Sequence, residues 1–358
     1  MEQMKIKTDC RYFNGDIPCK PHKQSQIHCP DCQQYEPMDY RILIIKLGAI
    51  GDVIRTTPLL KALKQNHPHA QISWLTYSPD ILPSGWVDNI LPVSIESITW
   101  LKANTFDWLI NLDKEPLAIA LAKDLSSEKK SGFIMDALGH CKPMATEAEE
   151  HKWLTGLWDD VNAANTLNYM EEIFNICGLT FQDETYILED KRAGQVQWNL
   201  DEDKIKIGLN TGCGGRWTSR LWPETYWIEL AKKLETDGLQ TVLLGGAQEH
   251  EKNLRIAKQS GATYLGHFDL PTFVNLVAQM DVVVTAVTMA MHLAIGLKRK
   301  LVLFNNIFNK HEFHLYNRGV IVEPEMECNC YFSPTCPNNC MTTLSVNTVY
   351  KSILNLSR

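Results

Sequence analysis

Short, near-continuous apolar runs alternate with amphipathic stretches over two separate parts of the chain. In the first part, residues 41–47 (RILIIKL), 71–76 and 108–112 read as strands, and the β-branched run at 41–47 is typical of a parallel strand covered on both faces. Residues 57–65 read as a helix, with Pro58 suited to its first turn. A polar, less regular middle follows at about 136–203. The alternation then resumes, with strands at 206–210, 241–246, 281–285 and 300–304 and helices at 223–235, 249–259 and 289–296. A last helix is expected at 346–356. Alternation at this spacing predicts βαβ units and parallel sheets. The expected fold is therefore α/β, with two Rossmann-like lobes that each open on a strand and a glycine turn. Residues 1–38 show neither period and carry Pro18, Pro21, Pro30 and Pro37, so they read as a loop-built unit. The expected divisions are this unit at 1–38, lobes at 39–195 and 196–325, and a cysteine finger with a terminal helix at 326–358.

Composition narrows the function classes. A chain of 358 residues suits two α/β domains, and 44% hydrophobic with 22% charged residues is globular. The net charge of -7 and the isoelectric point near 5.9 argue against nucleic-acid binding, which usually shows a basic excess. No apolar run reaches membrane-spanning length, and the polar start lacks the apolar core of a secretory signal. A cytoplasmic protein is expected.

Three segments fall at the carboxyl ends of strands, where open α/β sheets bind ligands. In residues 46–58 (KLGAIGDVIRTTP), Gly48 and Gly51 permit a tight turn, but not with dinucleotide-fingerprint spacing. Asp52 has two readings there: a cap on the following helix, or a base that faces the cleft and takes a proton from an attacking hydroxyl. Residues 210–223 (NTGCGGRWTSRLWP) combine flexible backbone at Gly212, Gly214 and Gly215 with Arg216 and Arg220, a set suited to phosphate. In residues 285–294 (TAVTMAMHLA) a helix starts near Thr288, and its free N–H groups can meet a diphosphate. His292, one turn in, is either an added donor or a core residue. Asp113 and Lys114 follow another strand end as acceptor-site candidates, and Asn305, Asn306 and Lys310 follow a further one.

In that order and spacing, the first segment, the Arg220-Leu-Trp-Pro223 turn and the Met291-His-Leu-Ala294 helix resemble glycosyltransferase family 9. These are the ADP-heptose:lipopolysaccharide heptosyltransferases, of GT-B fold, and the resemblance covers about residues 40–350. It implies inverting transfer of heptose from an ADP-heptose-type donor to a hydroxyl, without a divalent metal at the reaction centre. Asp52 matches the family's base. The first lobe becomes the acceptor side, with Gly48, Gly51, Arg55, Asp113 and Lys114 as contacts. The second becomes the donor side, with Thr211, Gly212, Gly214, Gly215, Arg216, Arg220, Gly245, Gly246, Thr288, Met289 and His292. Glu249 and Glu251 lie near the expected ribose position. Arg220 stands where the family has a phosphate-contacting lysine. Thr288 and His292 match the family's helix start, whereas Val287, Met289 and Ala290 depart from it. Met289 replaces a glycine that lets backbone approach phosphate closely. The acceptor can be a saccharide, lipid-linked or a protein, with peripheral inner-membrane contact. A GT-B nucleotide-sugar epimerase and a non-catalytic nucleotide-sugar-binding or metal/redox-sensing protein are alternative readings.

Eight of the eleven cysteines fall in two clusters, a distribution that reads as metal ligation before oxidation. Cys10, Cys19, Cys29 and Cys32, with His22 and His28 as spare ligands, suit tetrahedral zinc; iron or an iron–sulfur cluster takes the same thiolates. Cys328, Cys330, Cys336 and Cys340 are less regularly spaced and are similar to a C-terminal finger of some family-9 protein heptosyltransferases, which bind iron there. Both clusters read as structural metal sites, zinc first. The last helix of GT-B chains commonly returns to the first lobe, which would let the two clusters share ligands.

Overall fold

A computed structural model describes residues 5–357 of the chain. Its first lobe holds β1 (Tyr40–Ile45), β2 (Ala70–Thr76), β3 (Asn89–Pro92), β4 (Phe106–Asn111), β5 (Ser127–Met135) and β6 (Cys141–Pro143). They form one sheet in the order β3-β2-β1-β4-β5-β6, parallel except for β6. The second lobe holds β7 (Lys206–Asn210), β8 (Gln240–Leu244), β9 (Val282–Ala286), β10 (Lys300–Phe304) and β11 (Gly319–Val322). These make an all-parallel sheet in the order β11-β10-β9-β7-β8. The α/β, two-lobed GT-B architecture expected from the sequence is thus present. β1 lies between β2 and β4, and Ile42, Leu43, Ile44 and Ile45 are fully buried, as its unbroken apolar run requires.

Two expectations need correction. The helix expected at 57–65 is present as Leu59–Asn66, but a separate helix, Ile50–Thr56, precedes it where a glycine turn was expected, and Pro58, which has no N–H for the ladder, stands between them. Gly51 and Asp52 therefore lie inside a helix, not in a turn. The terminal helix, Val346–Ser357, does not return to the first lobe. Its Val346, Val349 and Ile353 pack with Trp227 and Phe304 on the second sheet. The irregular middle also contains three short helices, Glu147–Leu154, Asp159–Ala164 and Tyr169–Ile176. No helix among the described residues is long and apolar enough to cross a membrane.

The lobes meet where the Ile50–Thr56 helix packs on the Met289–Gly296 helix. One apolar cluster runs across this seam, joining Val53 and Ile54 to Met291 and Leu293. A Cβ on Gly51 would lie 2.4 Å from Cδ2 of the His292 ring, so only glycine fits this crossing. Gly51→Ala should cost about 1–3 kcal/mol, as overpacking of a closed interface does. Denaturant titration of the variant checks this, and an unchanged midpoint would show that the seam yields freely.

Candidate active site

The site is built at the carboxyl end of β1. Asp113 Oδ2 accepts the N–H groups of Leu47 (3.0 Å) and Gly48 (3.4 Å) and pairs with Lys46 Nζ at 3.4 Å. Asp113 is thereby buried under the glycine segment and positions it; it does not line the cleft, as an acceptor contact must. Gly48 likewise shapes the segment without lining the cavity beyond it. Asp52, two residues into the following helix, does not cap it, because Ala49 holds the cap position. Its carboxylate pairs with Arg55 Nη2 at 2.8 Å and lies 3.9 Å from Lys46 Nζ, with a third of the side chain exposed. Burial favours the neutral acid, but Arg55 and then Lys46 outweigh it and hold Asp52 at about 2. Arg55 also reaches across the seam to Glu312 at 2.5 Å and covers the Tyr169 ring.

Asp52 and Arg55 open into a cavity of about 580 Å³ between the lobes, shared with Lys114, Lys152, Asn162, Arg220 and Phe332 among others. Lys114 is drawn down to about 8 by burial and by the neighbouring Lys152. Its Nζ donates to the Lys152 carbonyl at 2.7 Å. Lys152 itself pairs with Glu172 at 2.5 Å. His292 also lines this cavity, but it is 6% exposed and its Nδ1 has no partner. Burial and Arg55 push its imidazole down to about 3, so it is neutral. It packs against Gly51 and does not line the cavity formed by Gly212, Gly245 and Glu249.

A second cavity, of about 520 Å³, lies mainly against the second lobe. Gly212, Gly214, Gly245, Gly246, Glu249, Thr288 and Met289 line it, with an apolar wall of Phe268, Leu270 and Phe273. Glu249 accepts the Gly246 N–H at 3.0 Å and fills the space beside Gly212, whose Cβ would sit 2.3 Å from its carboxylate. Thr288 caps the Met289–Gly296 helix by accepting the Ala290 N–H at 3.2 Å. Met289 lines both cavities. So does Arg220, which is 7% exposed. The Arg220 guanidinium donates to the carbonyls of Cys213 (2.7 Å) and Val287, and no acidic side chain pairs with it among the described residues. Thr211, Gly215 and Arg216 line neither cavity: Thr211 is buried on Asn253, and Arg216 lies over the Trp217 ring. Asn305, Asn306 and Lys310 also stay out of both cavities; Asn306 holds the Ser219 carbonyl at 2.9 Å. Sequence reasoning missed Lys152, Asn162, Glu312, Phe332 and the Phe268–Phe273 wall.

The C-terminal cysteines converge. The sulfurs of Cys328, Cys330, Cys336 and Cys340 all lie within 4.8 Å of one another, with Cys328–Cys336 at 3.4 Å and Cys330–Cys340 at 3.6 Å. Four thiolates about 2.3 Å from one ion stand about 3.8 Å apart, so this donor set fits a tetrahedral metal. The finger also reaches the cleft. Ser219, next to Arg220, bonds the carbonyls of Ser333 (2.7 Å) and Pro334 (3.0 Å), and Tyr331 donates to Asn162 of the first lobe. Cys10, Cys19, Cys29 and Cys32 line one cavity at the other end of the chain and are not drawn to that spacing. The two clusters do not share a site.

Comparison with known proteins agrees with this architecture. Lipopolysaccharide heptosyltransferase 2 of Escherichia coli K12 is 34% identical over 113 residues, which are 30% of this chain and 32% of that protein. The match thus spans about a third of the curated relative's length. The E. coli heptosyltransferase WaaC, solved with ADP-2-deoxy-2-fluoro heptose, superposes with a TM-score of 0.62 at 19% identity. That superposition covers 88% of this chain and 99% of WaaC. The iron-containing dodecameric glycosyltransferase TibC of enterotoxigenic E. coli superposes at 0.55 and 12% identity, over 90% of this chain and 79% of TibC. Residues 98–341 match glycosyltransferase family 9 (heptosyltransferase), and that span is most of the chain: it belongs to this family.

Proposed function

We propose that the chain is an inverting glycosyltransferase that moves heptose from an ADP-heptose-type donor to a hydroxyl on an acceptor held by the first lobe. The observation that carries this reading is Arg220, a buried guanidinium with no acidic partner, placed between the two cavities. A buried cation without a counter-charge is costly, and a diphosphate against it supplies one. The first N–H groups of the Met289–Gly296 helix add donors to the same anion. The apolar Phe268, Leu270 and Phe273 wall suits the nucleobase. The WaaC structure carries a fluorinated ADP-heptose, which supports this donor class.

In this mechanism Asp52 accepts the proton of the acceptor hydroxyl while its oxygen bonds to the anomeric carbon. The bond from that carbon to the diphosphate breaks on the opposite face, and the electron pair leaves with the diphosphate toward Arg220. One displacement inverts the centre. A carboxylate held at about 2 is a weak base for a resting hydroxyl. Proton transfer therefore comes late, as bond formation acidifies the hydroxyl. Lys114 and Lys152 face the acceptor. Cys328, Cys330, Cys336 and Cys340 would hold a structural zinc or iron ion that cross-links the finger beside the cleft; TibC, which is iron-containing, supports this. A reducing, cytoplasmic setting suits eleven free thiols.

Asp52→Asn should lower transfer about 10²–10⁴-fold with donor affinity kept, and nucleotide release from ADP-heptose at the parent rate would refute the base assignment. Arg220→Met should weaken donor binding by about 1.5–3 kcal/mol, read by calorimetry with ADP, because a hydrogen-bonded charge is lost. Asp52 is ionised above about 2 in the parent. In Arg55→Met the chief attraction is gone and burial is left opposing ionisation, so the carboxyl must titrate higher. The acid limb of kcat/KM should move to higher pH; a limb that stays put rules out Asp52 as the titrating group.

A further inference from the structure

The N-terminal unit lies before the part of the chain that matches the family, and its chemistry stands apart from the cleft. It is docked on the β2–β3 side of the first lobe through Arg11. The Arg11 guanidinium pairs with Glu36 at 2.7 Å and with Asp88, and donates to the Ala70 carbonyl at 3.1 Å. Cys10 bridges to Pro37, and Met38 N–H bonds the Asp9 carbonyl at 2.8 Å, so the two ends of the unit are closed on each other. Between those ends there is almost no core. Pro21 is the one buried side chain among residues 5–38, while Ile6, Phe13, Ile17 and Ile27 are exposed. A segment of this size with so little buried apolar surface needs a cross-link to hold one shape.

Three separate pieces of this unit point cysteine at one cavity of about 270 Å³: Cys10, Cys19, and the pair Cys29 and Cys32. Cys29 and Cys32 sit on a single tight turn, closed by the Cys32 N–H to the Cys29 carbonyl at 3.4 Å. That turn sets two thiols on one side of the chain, as a chelating pair requires. All four are free thiols. Lys5 and Lys7 also line the cavity and supply positive charge beside a thiolate set. His22 is turned to other work, with Nδ1 at 3.1 Å from the Ile27 carbonyl. We propose that Cys10, Cys19, Cys29 and Cys32 form a second metal site, distinct from that of the finger, in which four thiolates hold one d-block ion that folds the N-terminal unit onto the first lobe. Binding draws the thiol sulfurs together and releases the protons they carry.

The test is metal content of the full chain, which does not depend on whether the protein transfers sugar. Elemental analysis of the parent and of a Cys29→Ser/Cys32→Ser variant should show one equivalent of ion lost in the variant, whether zinc or iron. A Cys336→Ser/Cys340→Ser variant should keep that equivalent. An N-terminal variant with the parent's metal content overturns the proposal. Should that variant not fold, thiol alkylation of the native parent, read by peptide mapping, decides the matter. Protection of the four cysteines that a chelator abolishes supports the site. Rapid alkylation without chelator, or protection that only a reductant removes, overturns it, the latter because it marks disulfides.

Discussion

The contact of Gly51 with the His292 ring sets the geometry on which the site depends. No side chain at 51 can occupy the space that the imidazole fills, so the backbone of one helix rests on a ring of the other. Packing of the two helices brings Asp52 and Arg55 to the second lobe, and Arg55 reaches Glu312, 257 residues further along the chain. Arg55 is consequently shared between a carboxylate of each lobe. Fully buried, such a group would cost more than its pairs return; here Asp52 remains a third exposed, and Arg55 also has the face of Tyr169. The same arrangement keeps His292 neutral, because burial and the adjacent guanidinium both oppose a second positive charge.

Charge is distributed unevenly around the cleft. Around Asp52 three cations each have an acid: Lys46 has Asp113, Arg55 has Asp52 and Glu312, and Lys152 has Glu172. Lys114 has a carbonyl and the Phe133 ring, and Arg220 has carbonyls and the Phe308 ring, but neither has an acid. Both of these groups without an acidic partner line the cavity that holds Asp52, and Arg220 also lines the second one. The finger braces the second of these. Its backbone holds Ser219 beside Arg220, and Tyr331 spans to Asn162, so the finger touches both lobes of the cleft.

Much of the site's skeleton was legible along the chain. Asp52, Gly212, Gly214 and Arg220, on glycine-containing segments after strands, do line the cavities, whereas Gly48, Thr211, Gly215 and Arg216 of the same segments do not. The same local reasoning misplaced Asp113, whose position after a strand says nothing about whether its carboxylate turns outward or back under Leu47 and Gly48. It also misread the middle, although Thr146 with Glu149 and Asn168 with Glu171 are capping boxes that announce helices of eight residues. Helices that short complete too few turns for their apolar period to stand out.

By itself the sequence determined the alternation of strands and helices, the doubly covered character of β1, the candidate base and the two thiol clusters, since each is fixed by neighbours within a few positions. Tertiary structure alone decided which of those groups face each other. The Arg55–Glu312 pair, the burial that drives His292 neutral and Lys114 down, and the gathering of Cys328, Cys330, Cys336 and Cys340 all come from chain segments brought together by packing. Charge and burial act through space, so a residue's electrostatic surroundings are set by the fold and not by its place in the chain.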